Sequence, residues 1–298
     1  MSGRVSLILA IVAAIVLAGA AFLWLHFRAG NSQNVVSFTP VAKATESVKE
    51  NPAEPPTSAT PGQPPPASAK RAAEPAEPPF SPKSGEVLQY SASLAKVSNV
   101  ASLRLEVLDH KEIAGKPAWH FQATAKTLNA MRLIFELDDR FDSYSEGNAF
   151  TGVQYEMRLS ERGQKVQSIQ RFTTTGKEPP PPGASAALVL PGTRDPLGMM
   201  QYLRSVDWDH TREARSPVFD GRKLYDVRAK LTGTSEVVVP AGRYKAATIE
   251  IRVFDNGAEM KDARFTLYLA NNPARTPVLL QAVLPFAEAR VELQPSGE

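Results

Sequence analysis

From Gly85 onward, apolar and polar residues alternate along most of the chain. In Ser216–Leu231, Tyr225, Val227, Ala229 and Leu231 share one face, while Leu224, Asp226, Arg228 and Lys230 share the other. Period-two alternation describes a strand with one packed face and one wet face. Asp220-Gly221 precedes it as a tight-turn dipeptide. The same pattern recurs in Leu88–Leu94, Ala101–Val107, Trp119–Lys126, Gln154–Leu159, Lys165–Phe172, Val237–Val239, Tyr244–Phe254, Ala263–Leu269, Pro277–Leu284 and Ala287–Leu293. Met131–Glu136 and Arg140–Tyr144 are less regular but also read as strands. Turns are expected at Glu161-Arg162-Gly163 and Pro240-Ala241-Gly242, and an exposed, proline-stiffened loop at Thr173–Ala186. One helix is expected over Pro196–Ser205. Asp195 can cap its first N–H groups, Pro196 suits the first helical position, and Leu197, Met200 and Leu203 form an apolar stripe. About ten or eleven strands joined by short turns imply an all-β antiparallel meander, a barrel or strongly curved open sheet with one short helix packed against it.

The first 83 residues follow other rules. Val5–Leu25 is an uncharged apolar run, long enough as a helix to span roughly 30 Å of hydrocarbon. Ala18-Gly19-Ala20 offers a signal cleavage site, but the apolar run continues through Leu25, which favours an uncleaved anchor. Residues 29–83 are rich in Pro, Ala, Ser, Thr and Glu and read as a disordered linker, on the order of 150 Å when extended. The expected organisation is therefore an anchor over 1–28, a linker over 29–83 and a β-rich domain over 84–298.

Many inward positions are alanine: Ala101, Ala123, Ala125, Ala229, Ala247, Ala263, Ala287 and Ala289. Small inward residues let a sheet curl tightly around a helix, or leave a lumen open to an apolar ligand. The candidate lining residues for such a lumen are Tyr90, Trp119, Phe121, Met200, Tyr225 and Phe265.

Composition narrows the chemistry. The chain has no cysteine, which excludes disulfides, zinc–thiolate sites, thiol nucleophiles and a lipidated N-terminal Cys. The net charge of +3 is spread over strands that also carry acids, so no nucleic-acid footprint is expected. No Gly-x-Ser-x-Gly elbow occurs. His110, His120 and His210 lack metal-ligand spacing, and His120, alternating onto a polar face, is expected in solvent. Asp138, Asp139, Asp142 and Glu146 miss the spacing of a calcium loop, and Arg140 among them points to a salt-bridged strand and turn. A glycan-cleaving pair drawn from Asp138, Asp142, Asp220 and Asp226 would require two carboxyls to meet, which no spacing shows. Pro179–Pro182 can stiffen an exposed loop or dock in an aromatic groove. No catalytic residue, metal site or cofactor is expected.

Several stretches together resemble a bacterial family of exported proteins, domain of unknown function family 3108. They are Asp138–Tyr144, Asp195-Pro-Leu197 with Tyr202-Leu-Arg204, Pro217–Gly221 through Lys223–Val227, Pro240-Ala-Gly242, and Leu267–Leu293 with Arg275-Thr-Pro-Val278. The resemblance covers about residues 84–294. It implies an exported β domain, similar in outline to open barrels that carry lipoproteins or lipids across the periplasm, and no known activity. The expectation is a single-pass inner-membrane protein held by residues 5–25, with its domain in the periplasm, or a secreted one if cleaved. Its expected role is to bind or carry an apolar or amphipathic ligand such as a lipid. The alternatives are docking of other envelope proteins or, last, hydrolysis of envelope polymers.

Overall fold

The computed structural model describes residues 80–177, 179–261, 264–284 and 287–296. The expected anchor, most of the linker, and Ala263 lie outside them. No helix among the described residues is long and apolar enough to cross a membrane.

Among the described residues the fold is one sheet of fourteen strands with two short helices. In chain order the elements are β1 (Val87–Leu94), β2 (Val97–Ile113), β3 (Lys116–Thr127), α1 (Asn129–Ile134), β4 (Asp138–Glu146), β5 (Thr151–Glu161), β6 (Gln164–Thr173), β7 (Ser185–Leu188), α2 (Pro196–Ser205), β8 (Glu213–Phe219), β9 (Leu224–Val239), β10 (Gly242–Asp255), β11 (Ala258–Glu259), β12 (Arg264–Ala270), β13 (Pro277–Val283) and β14 (Glu288–Leu293). Neighbours along the sheet run β7-β6-β5-β4-β3-β2-β1-β14-β13-β12-β10-β9-β8, with β11 paired to β10. The β1–β14 ladder is what lets the chain's first and last strands fuse two meanders into one sheet.

The alternation expected from sequence decides which face is packed. Tyr90, Ala92, Ala101, Leu103, Phe121, Ala123, Ala125, Tyr225, Val227, Ala229, Phe265, Leu267 and Leu269 are all buried in a single core. The β8–β9 turn forms at Asp220-Gly221, where Asp220 Oδ1 accepts from the N–H groups of Arg222 and Lys223 at 2.9 and 2.7 Å. Gly221 takes φ +98°, and a Cβ there would lie 2.3 Å from Met157 Cε on β5. That contact shows the sheet rolled until the β8–β9 turn reaches β5.

Three expectations are corrected. The meander is not wholly antiparallel: β7 pairs parallel with β6, because the proline-bearing loop turns the chain back before it rejoins the sheet. Met131–Glu136 is not a strand: Asn129–Ile134 forms α1, entered at Asn129 with φ +51°. Its Leu133 and Ile134 side chains are exposed rather than alternating. Ala246, not Ala247, takes the fully buried position on β10, because the β9–β10 register shifts between Thr248 and Ile249, opposite Thr232. Of the two outlines expected, the sheet takes the open one, since no ladder among the described residues closes a barrel. The strap 189–195 spans the gap instead: Thr193 O accepts from Gly152 N on β5, and Arg194 N and O bond Pro217 O and Phe219 N on β8. Phe80, ahead of β1, packs edge-on to Phe150 and beneath the Arg204 guanidinium.

Candidate functional site

Helix α2 lies against the concave face. Asp195 caps it as its sequence requires, Oδ1 accepting from the N–H groups of Leu197 and Gly198 at 2.9 Å. Its other oxygen accepts from Ser143 Oγ at 2.6 Å, which ties the helix start to β4. Gly198 permits close approach, since a Cβ there would lie 2.8 Å from Ser145 Oγ and 3.1 Å from Phe150 O. The far end is held by Arg204, buried, whose guanidinium pairs with Glu86 at 2.7 and 2.8 Å and donates to Ala274 O at 2.8 Å.

Between this helix and the sheet lies a crevice of about 60 Å³. Pro196, Met199, Met200 and Leu203 form its roof; Val218, Val227, Ile251, Val253, Phe265 and Leu280 form its floor. No ionisable side chain lines it. A second, larger concavity of about 420 Å³ opens on the outer face of β8–β10. Its cations are already matched: Arg215 and Arg228 bind Asp226, Lys230 binds Glu213, and Arg252 binds Glu250. An anionic ligand there would have to displace these internal partners, so the apolar crevice is the better candidate.

Of the six residues expected to line a lumen, the crevice brings together Met200 and Phe265. Tyr90 is buried in β1 and donates its hydroxyl to Pro277 O at 2.8 Å. Phe121 sits between Trp119 and Phe150, with ring centroids 6.3 and 6.0 Å away. Trp119 is half-buried, its ring 3.7 Å from that of His110. Tyr225 is buried in β9, and burial pushes its hydroxyl far above the ordinary range. The crevice residues Val218, Ile251, Val253 and Leu280 share the inward alternation of their strands. Nothing local to them says that α2 covers this particular set.

Buried ionisable groups cluster on the other half of the sheet. Asp142 accepts from Gln122, from Nε and Nη2 of Arg140, and from Arg158, at 2.7–2.9 Å, with His120 Nε2 2.8 Å away. Burial opposes its charge, but these donors outweigh burial and hold the carboxyl well below the usual range. The acidic group thus includes the salt-bridged strand expected, with Asp138 on Arg132 and Glu146 on Lys116. His120, however, is not in solvent. It is 3% exposed, stacked on Tyr144 at 4.5 Å, and its Nδ1 has no hydrogen-bond partner among the described residues. Polar alternation identified the face correctly. Tyr144 and Asp142 on β4, which cover it, lie 24 and 22 residues away in the chain.

Asp139 points to the opposite, inner side, where it accepts from Ser160 N at 2.9 Å and meets Glu161. Burial, with the neighbouring carboxyl adding to it, pushes Asp139 up to about 8, and burial raises Glu161 as well. Burial also lifts Asp195 and Asp220 to about 6 each. Two carboxyls do meet, then, but they are Asp139 and Glu161, and the pair is enclosed.

No curated protein matches the chain. Among solved structures it is similar to a β-barrel-like protein of the DUF1849 family from Brucella abortus, at 11% identity and TM-score 0.46, over 70% of this chain and 95% of that one. It is similar also to a candidate lipoprotein from Parabacteroides distasonis, at 12% identity and TM-score 0.33, over 72% and 96% of the two chains. A third is a candidate exported protein with a YmcC-like fold from Bacteroides fragilis, at 10% identity and TM-score 0.29, over 74% and 99%. A family model described as protein of unknown function matches residues 89–294, and the chain belongs to that family, DUF3108.

Proposed function

We propose that this is a membrane-tethered protein of the bacterial envelope that binds or carries an apolar or amphipathic ligand. The ligand's hydrocarbon enters the crevice between α2 and the concave sheet. The supporting observation is that crevice: a gap lined by apolar side chains, with two methionines in its roof and no polar side chain that would hold water there. At about 60 Å³ it is small, so a chain longer than a few methylenes must lift α2. The roof suits that movement, because methionine side chains repack with little strain. The tether is the apolar segment 5–25, which places the domain on the exported side.

Native mass spectrometry of the full chain, released from envelopes in mild detergent, tests this. A bound species of lipid mass is expected, lost on organic extraction and depleted in Met200→Asp. Met200 is only half-buried, so that variant should still fold. A clean apo mass for the parent would overturn the reading and turn attention to protein partners.

A further inference from the structure

We infer that the rim of the sheet opposite the chain's entry is a docking surface for an anionic phospholipid bilayer. The linker joins the domain at the end that holds the β4–β5 turn, where Phe80 packs on Phe150 and Arg204. The other end carries the β1–β2 turn, α1 and the β5–β6 turn. There Leu133 is 91% exposed, Ile134 70%, Val97 58% and Val283 51%.

These four residues follow one line along the rim. Val283 pairs with Glu288, and Glu288 O accepts from Ala95 N at 2.8 Å, beside Val97. Asn99 O then accepts from Asn129 Nδ2 at 3.3 Å, at the start of the helix that presents Leu133 and Ile134. Large side chains this exposed serve no packing role in the domain. Water-facing apolar residues in a continuous row mark a surface that is covered in use.

The charges around them select the occupant. Lys96, Lys126 and Arg264 are exposed, and none has an ion pair among the described residues. Arg132 is matched by Glu136 and Asp138, which leaves Glu288 as the unmatched acid of this row. Apolar side chains flanked by exposed cations without ion pairs suit an interface of acyl chains beneath anionic headgroups. At the entry end Leu188, Leu190 and Val238 are exposed too, but no ladder joins β7 to β9, so they form no such row.

Because the chain lacks cysteine, Leu133→Cys and Val238→Cys each accept a single environment-sensitive fluorophore. The full-length variants are reconstituted into phosphatidylethanolamine vesicles, with or without phosphatidylglycerol, containing bromine-labelled acyl chains. The expected result is bromine quenching several-fold stronger at position 133 than at 238, dependent on phosphatidylglycerol and weakened by high salt. Equal quenching at both sites, or none at 133, would overturn the inference. So would protection of the 133 label from aqueous quenchers without bromine quenching, which would mean a protein covers the rim. This readout does not depend on what fills the crevice, so it can fail while the carrier reading stands.

Discussion

The two halves of the sheet are built on different physics. Every buried polar or charged side chain among the described residues lies between His120 and Asp220; β1, β2 and β9–β14 bury none apart from tyrosine hydroxyls. In β3–β5 and the strap, buried groups are held by directional bonds: Asp142 to its ring of donors, Asp195 to the start of α2, Arg194 to Ala149 O and Ser216 Oγ. Such networks fix geometry, because each partner lost leaves a desolvated group behind. The buried side chains of β9–β14 are apolar apart from the Tyr225 hydroxyl and pack by dispersion and the hydrophobic effect, which tolerate a small gap. The crevice under α2 draws its floor from β8–β10, β12 and β13. The polar half sets the shape, and the apolar half leaves room.

Breaking the polar half should produce the largest effect. Asp142→Ala leaves His120 buried without its acceptor, while Arg140 and Arg158, 46% and 42% exposed, can turn to water. A loss of about 2–4 kcal/mol is expected in urea unfolding, and a change much smaller than that would mean the network is dispensable.

Gly198→Val attacks the junction between the halves. Its branched side chain would strike Ser145 and the Phe150 carbonyl, so a cost of about 1–3 kcal/mol is expected, together with weaker uptake of any crevice ligand. Unchanged melting would show that α2 sits farther from β4 than its capping geometry indicates.

The pH dependence sharpens the contrast without a new contact. The raised carboxyl of Asp139 keeps its proton in the fold after the unfolded chain has lost it. Stability therefore falls as pH rises from about 4 toward about 8. Asp142 works in the opposite sense: its contribution is present above the ordinary carboxylate value and is lost as pH falls through its depressed one. Asp139→Asn should melt a few degrees higher than the parent near pH 8 and match it near pH 4, in thermal scans at both. A gain of equal size at both pH values would contradict this account of Asp139.

The smallest effect is expected at the rim. Leu133→Ser with Ile134→Ser should stay within about 0.5 kcal/mol of the parent, since neither side chain is packed. A clear destabilisation in urea would mean that α1 contributes to the core after all.

Much of the fold was legible in the chain. Asp195-Pro196 marked the start of α2, Asp220-Gly221 a hairpin, and period-two alternation the packed face of nearly every strand. The site was less legible. Met200 and Phe265 meet in the crevice, while Tyr90, Trp119, Phe121 and Tyr225, equally inward by pattern, lie elsewhere. Asp139 and Glu161 meet through the curl of β4 and β5, and His120 is buried by Tyr144 and Asp142 on the next strand.

By itself, then, the sequence determined most of the strands, their inward faces and the helix with its cap. These follow from backbone periodicity and local hydrogen bonding, which act over a few neighbouring residues. Only the tertiary structure decided the parallel β7, the strap in place of a closed barrel, the burial of His120, the crevice floor and the apolar rim. Each of these depends on which distant strands lie side by side, and therefore on how the whole sheet curls.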